Sequence, residues 1–321
     1  MTEPLVTTLA SRTKTVRISL ESPFAIIGER INPTNRKKLA AALLALETHA
    51  NDSAHPDFQD GYAYVQAQAV KQVEAGAHVL DVNVGFAGGD EPLVMPIAVK
   101  AILEAVDIPL SIDSPNAAAV EAGLRAFTEM TGGKGLINST TAEPERAERM
   151  LPIAKKYGAA LIALAHGSTG IPNNVEERLE AAKTIVQQCA DYGIRPEDIL
   201  IDPLTLTVGA DDQAGKVCMG TLRRVVLELG LNTTNGASNV AFGLPDRKSI
   251  NLTYLPMLMA GGLTSAITNP LEPEIVTATK AADMLMGRDR SCLAWIKYNR
   301  AKAKAEAEAQ AKAGAAQPSA A

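Results

Sequence analysis

The sequence predicts an α/β fold closed as a (β/α)8 barrel, and three observations carry that prediction. From about residue 24 short apolar runs alternate with longer helical patterns, the rhythm of βαβ units around a parallel sheet. Eight such runs can be counted. One of them, AALIALA at 159–165, is apolar at every position, as a strand covered on both faces must be. Eight units fit a TIM barrel better than a doubly wound sheet, which usually has fewer strands and a Gly-rich fingerprint after its first. No GxGxxG follows the first strand here.

Taken in order, residues 1–23 form an N-terminal extension. Within it TKTVRISLESP alternates polar and apolar residues around Glu21-Ser22-Pro23 and is expected to fold as a β-hairpin that closes the barrel's bottom. The barrel itself spans 24–290. Its strands are expected at FAIIGERIN, AHVLDVNVG, IPLSIDS, GLINST, AALIALA, DILIDPL, GASNVAF and TSAITNP. Between them Leu179, Ala182, Val186 and Cys189 recur three and four residues apart, as do Ile275, Ala278, Ala282 and Leu285, which marks core-facing helical stripes. The GGDEP run at 88–92 reads as a helix start capped by an acid. In the tail, 291–321, Ala alternates with charge from Ala301. No apolar stripe results, so a helical or disordered solvated end is expected.

Composition removes several function classes. Hydrophobic residues make up 46% and aromatics 4%, a core of Ala, Val, Leu and Ile. The net charge of -5 comes without a basic stripe, so no nucleic-acid partner is expected. No apolar run approaches the roughly 20 residues that span a bilayer. The opening MTEPLVTTLASRTKTVR lacks the apolar stretch of a secretory signal, and a cytoplasmic location follows. Cys189, Cys218 and Cys292 lack CxxC spacing, which argues against a disulfide framework, an iron-sulfur cluster or a structural zinc. They read as buried thiols, and no metal site is expected.

In a TIM barrel, chemistry sits at the C-terminal ends of the strands. Those ends supply Glu29, Arg30 and Asn32; Asp81 and Asn83; and Asp113, Asn138, Asp202, Asn239 and Asn269. A Ser-His-Asp set, a strand-end Lys and HxH or HExxH clusters are all missing from this inventory. Asp and Asn suit a planar heterocycle edge that offers several N–H donors beside a carbonyl acceptor. A pterin has that edge. Two carboxylates can accept from its 2-amino-4-oxo ring while one Asn amide pairs bidentately, and Asp113, Asn138 and Asp202 are the expected clamp. Asp81 is expected to orient a neighbour. His166 is expected to position a loop at the mouth, and His78 to be structural.

The strings GERIN, LDVNVG, IDSPNAAAVEAGL, INST, ALIAL followed by TGIP, IDPL and SNV resemble the methyltetrahydrofolate:corrinoid (iron-sulfur) protein methyltransferases. They also resemble the related folate domain of cobalamin-dependent methionine synthase. The likeness runs from about residue 24 to 290, nearly the whole barrel. It implies the pterin-binding, dihydropteroate-synthase-like form of the fold. It places Asp113, Asn138 and Asp202 at the pterin-holding positions, Asn239 as the mobile residue bonding the methyl-bearing nitrogen, and Glu29, Asn32 and Arg247 at further positions near the pterin.

Methyl transfer from a tertiary amine requires the leaving nitrogen to gain positive character, and no strand-end His or Lys is present to protonate it. Asn239 would then assist protonation without owning the proton. The resemblance implies 5-methyltetrahydrofolate/tetrahydrofolate as substrate and a corrinoid (cobalamin) supplied by a partner protein. No DxHxxG motif occurs here, and none of His49, His55, His78 or His166 fits one. The direction of transfer stays open. Outer helices rich in Ala, Leu and Met suggest a homodimer. Two rival readings are a dihydropteroate synthase, whose pyrophosphate site Arg36, Lys37 and Lys38 could mimic, and a non-catalytic folate-binding subunit lacking the nitrogen-facing Asn.

Overall fold

The computed structural model describes residues 4–167 and 170–315; Thr169 of the TGIP string and the last residues of the tail, 316–321, lie outside them. A two-stranded antiparallel hairpin, β1 (Thr7–Ala10) and β2 (Thr15–Ile18), comes first. Eight parallel strands follow: β3 (Ala25–Ile31), β4 (Val79–Asn83), β5 (Leu110–Asp113), β6 (Leu136–Thr140), β7 (Ala160–Leu164), β8 (Ile199–Asp202), β9 (Asn232–Thr233) and β10 (Ser265–Thr268). They pair in chain order and β10 pairs with β3. A single bridge between Gly236 and Ile267 completes the ring beyond β9, so the sheet is a (β/α)8 barrel.

Helices wrap this ring: α1 (Lys37–Thr48), α2 (Pro56–Glu74), α3 (Glu91–Ala105), α4 (Ala117–Thr131), α5 (Pro144–Tyr157), α6 (Val175–Asp191), α7 (Ala214–Arg224), α8 (Arg247–Ala260), α9 (Pro273–Leu285) and α10 (Leu293–Ala315). Their starts follow capping chemistry. Asp90, in the GGDEP run, caps α3 by accepting from the Leu93 N–H at 3.2 Å, and the side chains of Asn116 and Asn174 cap α4 and α6. Leu179, Ala182 and Cys189 are buried on α6 as the spacing predicts. On α9 Ile275 and Ala282 are buried, but Leu285 is 80% exposed because it stands at the last helical turn, beyond the strands.

Two expectations need correcting. The hairpin turn is Ser11–Lys14, closed by the Ser11 N–H to Lys14 carbonyl bond, and not Glu21-Ser22-Pro23. The apolar run GASNVAF is no strand either. Residues Ala237–Ala241 form a 3-10 turn packed on α8, and the seventh barrel strand is the polar pair Asn232–Thr233 just before it.

That pair is polar yet buried, and hydrogen bonds offset the cost of its burial. Asn232 Nδ2 donates to the Ile18 carbonyl at 2.8 Å and to Thr7 Oγ1 at 3.1 Å, tying the hairpin to the N-terminal end of the strands. Leu9 and Ile18 of the hairpin pack with Ala25, Val79, Leu136, Ala160 and Leu200 inside the barrel. The bottom is therefore filled with hydrocarbon, and the polar groups are left to the other end. Among the described residues no helix is long and apolar enough to cross a membrane.

Candidate active site

Side chains alternate along a strand, so the residues that point inward stack in layers. Pairing sets Asn83, Asp113 and Asn138 at one level of the barrel's C-terminal end, with Asp81 and Ser111 two residues below. Glu29, near the end of β3, and Asp202, at the end of β8, lie at the same C-terminal end of the barrel. An open cavity of about 690 Å³ lies above them. Its lining includes Glu29, Asn32, Asp81, Asp113, Asn138, Asp202, Asn239 and Arg247. These eight meet at one mouth, whereas the strand-end candidates Asn83 and Asn269 are not part of its lining.

The first wall is a cross-linked set of carboxyls and amides. Asn83 Nδ2 donates to Asp113 Oδ2 at 2.9 Å. Asp81, 3% exposed, accepts from Ser111 Oγ at 2.7 Å and from Asn138 Nδ2 at 3.1 Å. Burial, reinforced by the neighbouring Asp113 charge, holds the Asp81 carboxyl well above the usual range. Burial raises the Asp113 pKa as well, while the bond from Asn83 opposes that rise. Asn138 keeps its carbonyl oxygen and one amide hydrogen for a ligand. Arg146 braces the loops behind, donating to the Ser139 carbonyl at 2.8 Å and to the Pro115 carbonyl at 2.6 Å.

On the opposite side Asp202 ends β8. Its Oδ1 accepts from the Leu204 N–H at 2.7 Å and from Asn235 Nδ2 at 2.9 Å. Burial pushes its pKa up to about 6, against those bonds, one from the Gly236 N–H and the Arg178 charge. Arg178 is 1% exposed and donates to the carbonyls of Pro172, Pro203 and Leu204, which fixes the loop leaving β8. Sequence reasoning missed Asn235 and Arg178. Asn235 sits in a polar run, and Arg178 lies beside Leu179 at the start of α6, where it reads as solvated.

The remaining residues line the rim. Burial raises the Glu29 pKa, opposed by Arg36 and by the bond from Ser238 Oγ at 3.3 Å. Asn32 Oδ1 accepts from the Thr34 N–H at 3.0 Å and shapes the loop after β3. Arg36 also lines the cavity, and its Nη1 donates to the carbonyls of Glu29 and Asn32, which anchors it to that loop. Asn239 lies in the 3-10 turn, exposed, and not at a strand end. Arg247 opens α8, donates to the Ser238 carbonyl at 3.1 Å and lies 5.7 Å over the ring of Phe242, itself 61% exposed.

The histidines stand elsewhere. His78 Nδ1 accepts from the Ile26 N–H at 3.0 Å, and burial lowers its pKa to about 4, a neutral structural group. His166 Nδ1 lies 3.4 Å from Glu143 Oε1. His49, His55 and Asp57 lie within 4.8 Å of one another, but none lines the cavity, and His55 Nδ1 already accepts from the Asp57 N–H that it caps.

Comparisons with known proteins agree with this geometry. The family model described as pterin binding enzyme matches residues 52–269. The methylcorrinoid:tetrahydrofolate methyltransferase of Eubacterium limosum is 31% identical over 244 residues, 74% of this chain and 87% of that protein. The methionine synthase of Mycobacterium tuberculosis is 27% identical over 280 residues, 83% of this chain but only 22% of its own length. Among solved structures, Xanthomonas albilineans dihydropteroate synthase in complex with 7,8-dihydropteroate superposes with a TM-score of 0.64 at 16% identity, covering 87% of this chain and 98% of that one. At that identity the likeness speaks for the fold alone.

Proposed function

Because the chain belongs to the pterin-binding enzyme family, we propose that it is a methyltransferase that moves a methyl group between 5-methyltetrahydrofolate/tetrahydrofolate and a corrinoid held by a partner protein. The observation that carries this reading is the convergence of two carboxylates and an amide, Asp113, Asp202 and Asn138, on one open cavity that Asn239 also lines. Acceptors from Asp113 and Asp202 suit the N–H donors of the ring edge, and the Asn138 amide supplies a paired donor and acceptor. Leaving such an edge unpaired costs about 1–3 kcal/mol per group.

The corrinoid supplies the cobalt that takes or gives the methyl group. Everything else falls to this chain's side chains. The clamp orients the pterin so that its methyl-bearing nitrogen faces the mouth, where the cavity is open and a partner can approach in line. The Asn239 amide, held on the rim and not packed into the barrel, bonds that nitrogen as it gains positive character. Asp81, buried beneath the clamp, fixes Asn138 through its hydrogen bond. Glu29, Asn32 and Arg247 border the same ligand. We take the protein to work in the cytoplasm as a symmetric dimer, a reading supported by the exposed apolar side chains of Met257, Leu285 and Met286.

The test is anaerobic mixing of the protein with 5-methyltetrahydrofolate and chemically reduced free cobalamin, followed by cobalt absorbance. Conversion of the reduced spectrum to the methylated one is expected. Tight folate binding with no spectral change, even with candidate corrinoid proteins added, would sink the reading and leave a folate-binding subunit.

A further inference from the structure

Behind Asp202 runs a buried polar chain that the proposed chemistry does not use. Asn235, 0% exposed, lies between Asp202 and Thr205. Its Nδ2 donates to Asp202 Oδ1 at 2.9 Å, and its Oδ1 accepts from Thr205 Oγ1 at 2.6 Å. Thr205 Oγ1 in turn lies 3.3 Å from Cys218 Sγ on α7 and 3.4 Å from the Tyr254 hydroxyl on α8. Thr205, Cys218 and Tyr254 are all buried.

We propose that Thr205 and Asn235 are positioning residues of the pterin site, which together hold Asp202 as a hydrogen-bond acceptor for the ring edge. The inference rests on the folate reading given above only in naming the ligand.

An asparagine side chain can turn either end of its amide toward a carboxylate. Only Nδ2 inward is attractive, since Oδ1 inward would set two acceptors against each other. The Thr205 hydroxyl decides between them. It has one hydrogen, and giving that hydrogen to Asn235 Oδ1 leaves Nδ2 facing Asp202. The oxygen of Thr205 is then free to accept, and both Tyr254 and Cys218 can donate to it because burial keeps their protons on. The Thr205 hydroxyl hydrogen and an Asn235 amide hydrogen thus run in sequence toward the carboxylate, while Asn235 Nδ2 also lies 3.9 Å from Cys218 Sγ on α7.

Other charged and titratable groups bear on Asp202 as well. Arg178 approaches from α6 and favours the ionised form. Glu29, Arg30, Arg36, Asp81, Asp113 and Arg247 line the same cavity. None of them makes the bond that sets the Asn235 amide.

The experiment is a carbon-13 titration of the full chain with labelled Asp carboxyls and no ligand bound, the Asp202 signal being assigned by its loss in Asp202→Asn. Thr205→Val keeps the shape and removes the hydroxyl, and Thr205→Ser keeps the hydroxyl. The Asp202 midpoint is expected to rise by about one unit in T205V and to stay at the wild-type position in T205S. Should T205V fail to fold, Asn235→Ser is expected to show the same rise. A midpoint that does not move in a folded T205V or N235S overturns the proposal, since mere packing would lower Tm and leave the titration alone. The midpoint is read without folate, so a wild-type protein that binds no folate counts against the functional reading and not against this one.

Discussion

The two walls of the mouth differ in how firmly they are held. Asp81, Asp113 and Asn138 stand on adjacent strands, Asp81 bonded to Asn138 and Ser111 and Asp113 to Asn83 within the barrel. Asn239 and Arg247 stand on the turn and helix that follow β9, both exposed, the latter bonded to the Ser238 carbonyl and lying over the face of Phe242. A ring edge is recognised by groups that lose little freedom on binding, because their rotamers are already locked. A group that must meet a nitrogen whose charge changes during transfer gains from standing where it can move. The difference predicts that the two walls fail in different kinetic constants.

Asn239→Ala should give the largest effect. Turnover with methyltetrahydrofolate is expected to fall roughly 100- to 1000-fold, the scale for removing one polar group aimed at developing charge, with folate affinity by calorimetry almost unchanged. Equal losses in turnover and affinity would place Asn239 with the clamp and erase the contrast. Asp113→Asn is the complementary variant. It swaps a charged acceptor for an amide on the rigid wall, and folate affinity should weaken roughly 10- to 100-fold. Turnover at saturating folate should hold within a few-fold. A collapse of turnover instead would mean that the clamp also serves the chemical step.

How much of this could be read from the sequence follows the same division. Six strands announced themselves because their apolar runs end in Asp, Asn or Glu, and AALIALA because it is apolar throughout; the β4–β6 wall followed from the first pattern. The seventh strand did not, since Asn232 and Thr233 are buried polar residues whose partners, Thr7, Ile18 and Thr264, lie far along the chain. Periodicity reports burial of hydrocarbon, so it passed over this pair and settled on Val240 and Ala241, which are buried against α8 from a 3-10 turn. The same blindness hid Asn235 and the turn of the hairpin at Ser11–Lys14. Asn239 was found by its SNV motif, although the element under it was not the one expected.

The smallest effect comes from the glycine beneath Asn239 and tests whether that residue's position matters. Gly236 adopts φ -75°, open to any residue, so a methyl group there brings little backbone strain. Its Cβ would nevertheless come within 3.0 Å of Asn239 Nδ2. The exposed Asn239 side chain must give way by a few tenths of an ångström, while the rigid wall across the cavity feels nothing. Gly236→Ala is therefore expected to lower turnover by about threefold to tenfold, far less than the roughly hundredfold cost of a full 1 Å misplacement, and to leave folate affinity as it was. In the Asn239→Ala background the same change should cost nothing further, because the group it displaces is already gone. A loss that persists in the double variant would mean that Gly236→Ala acts on Asp202 through the neighbouring N–H, and Asn239 would no longer be the side chain whose placement the turn controls.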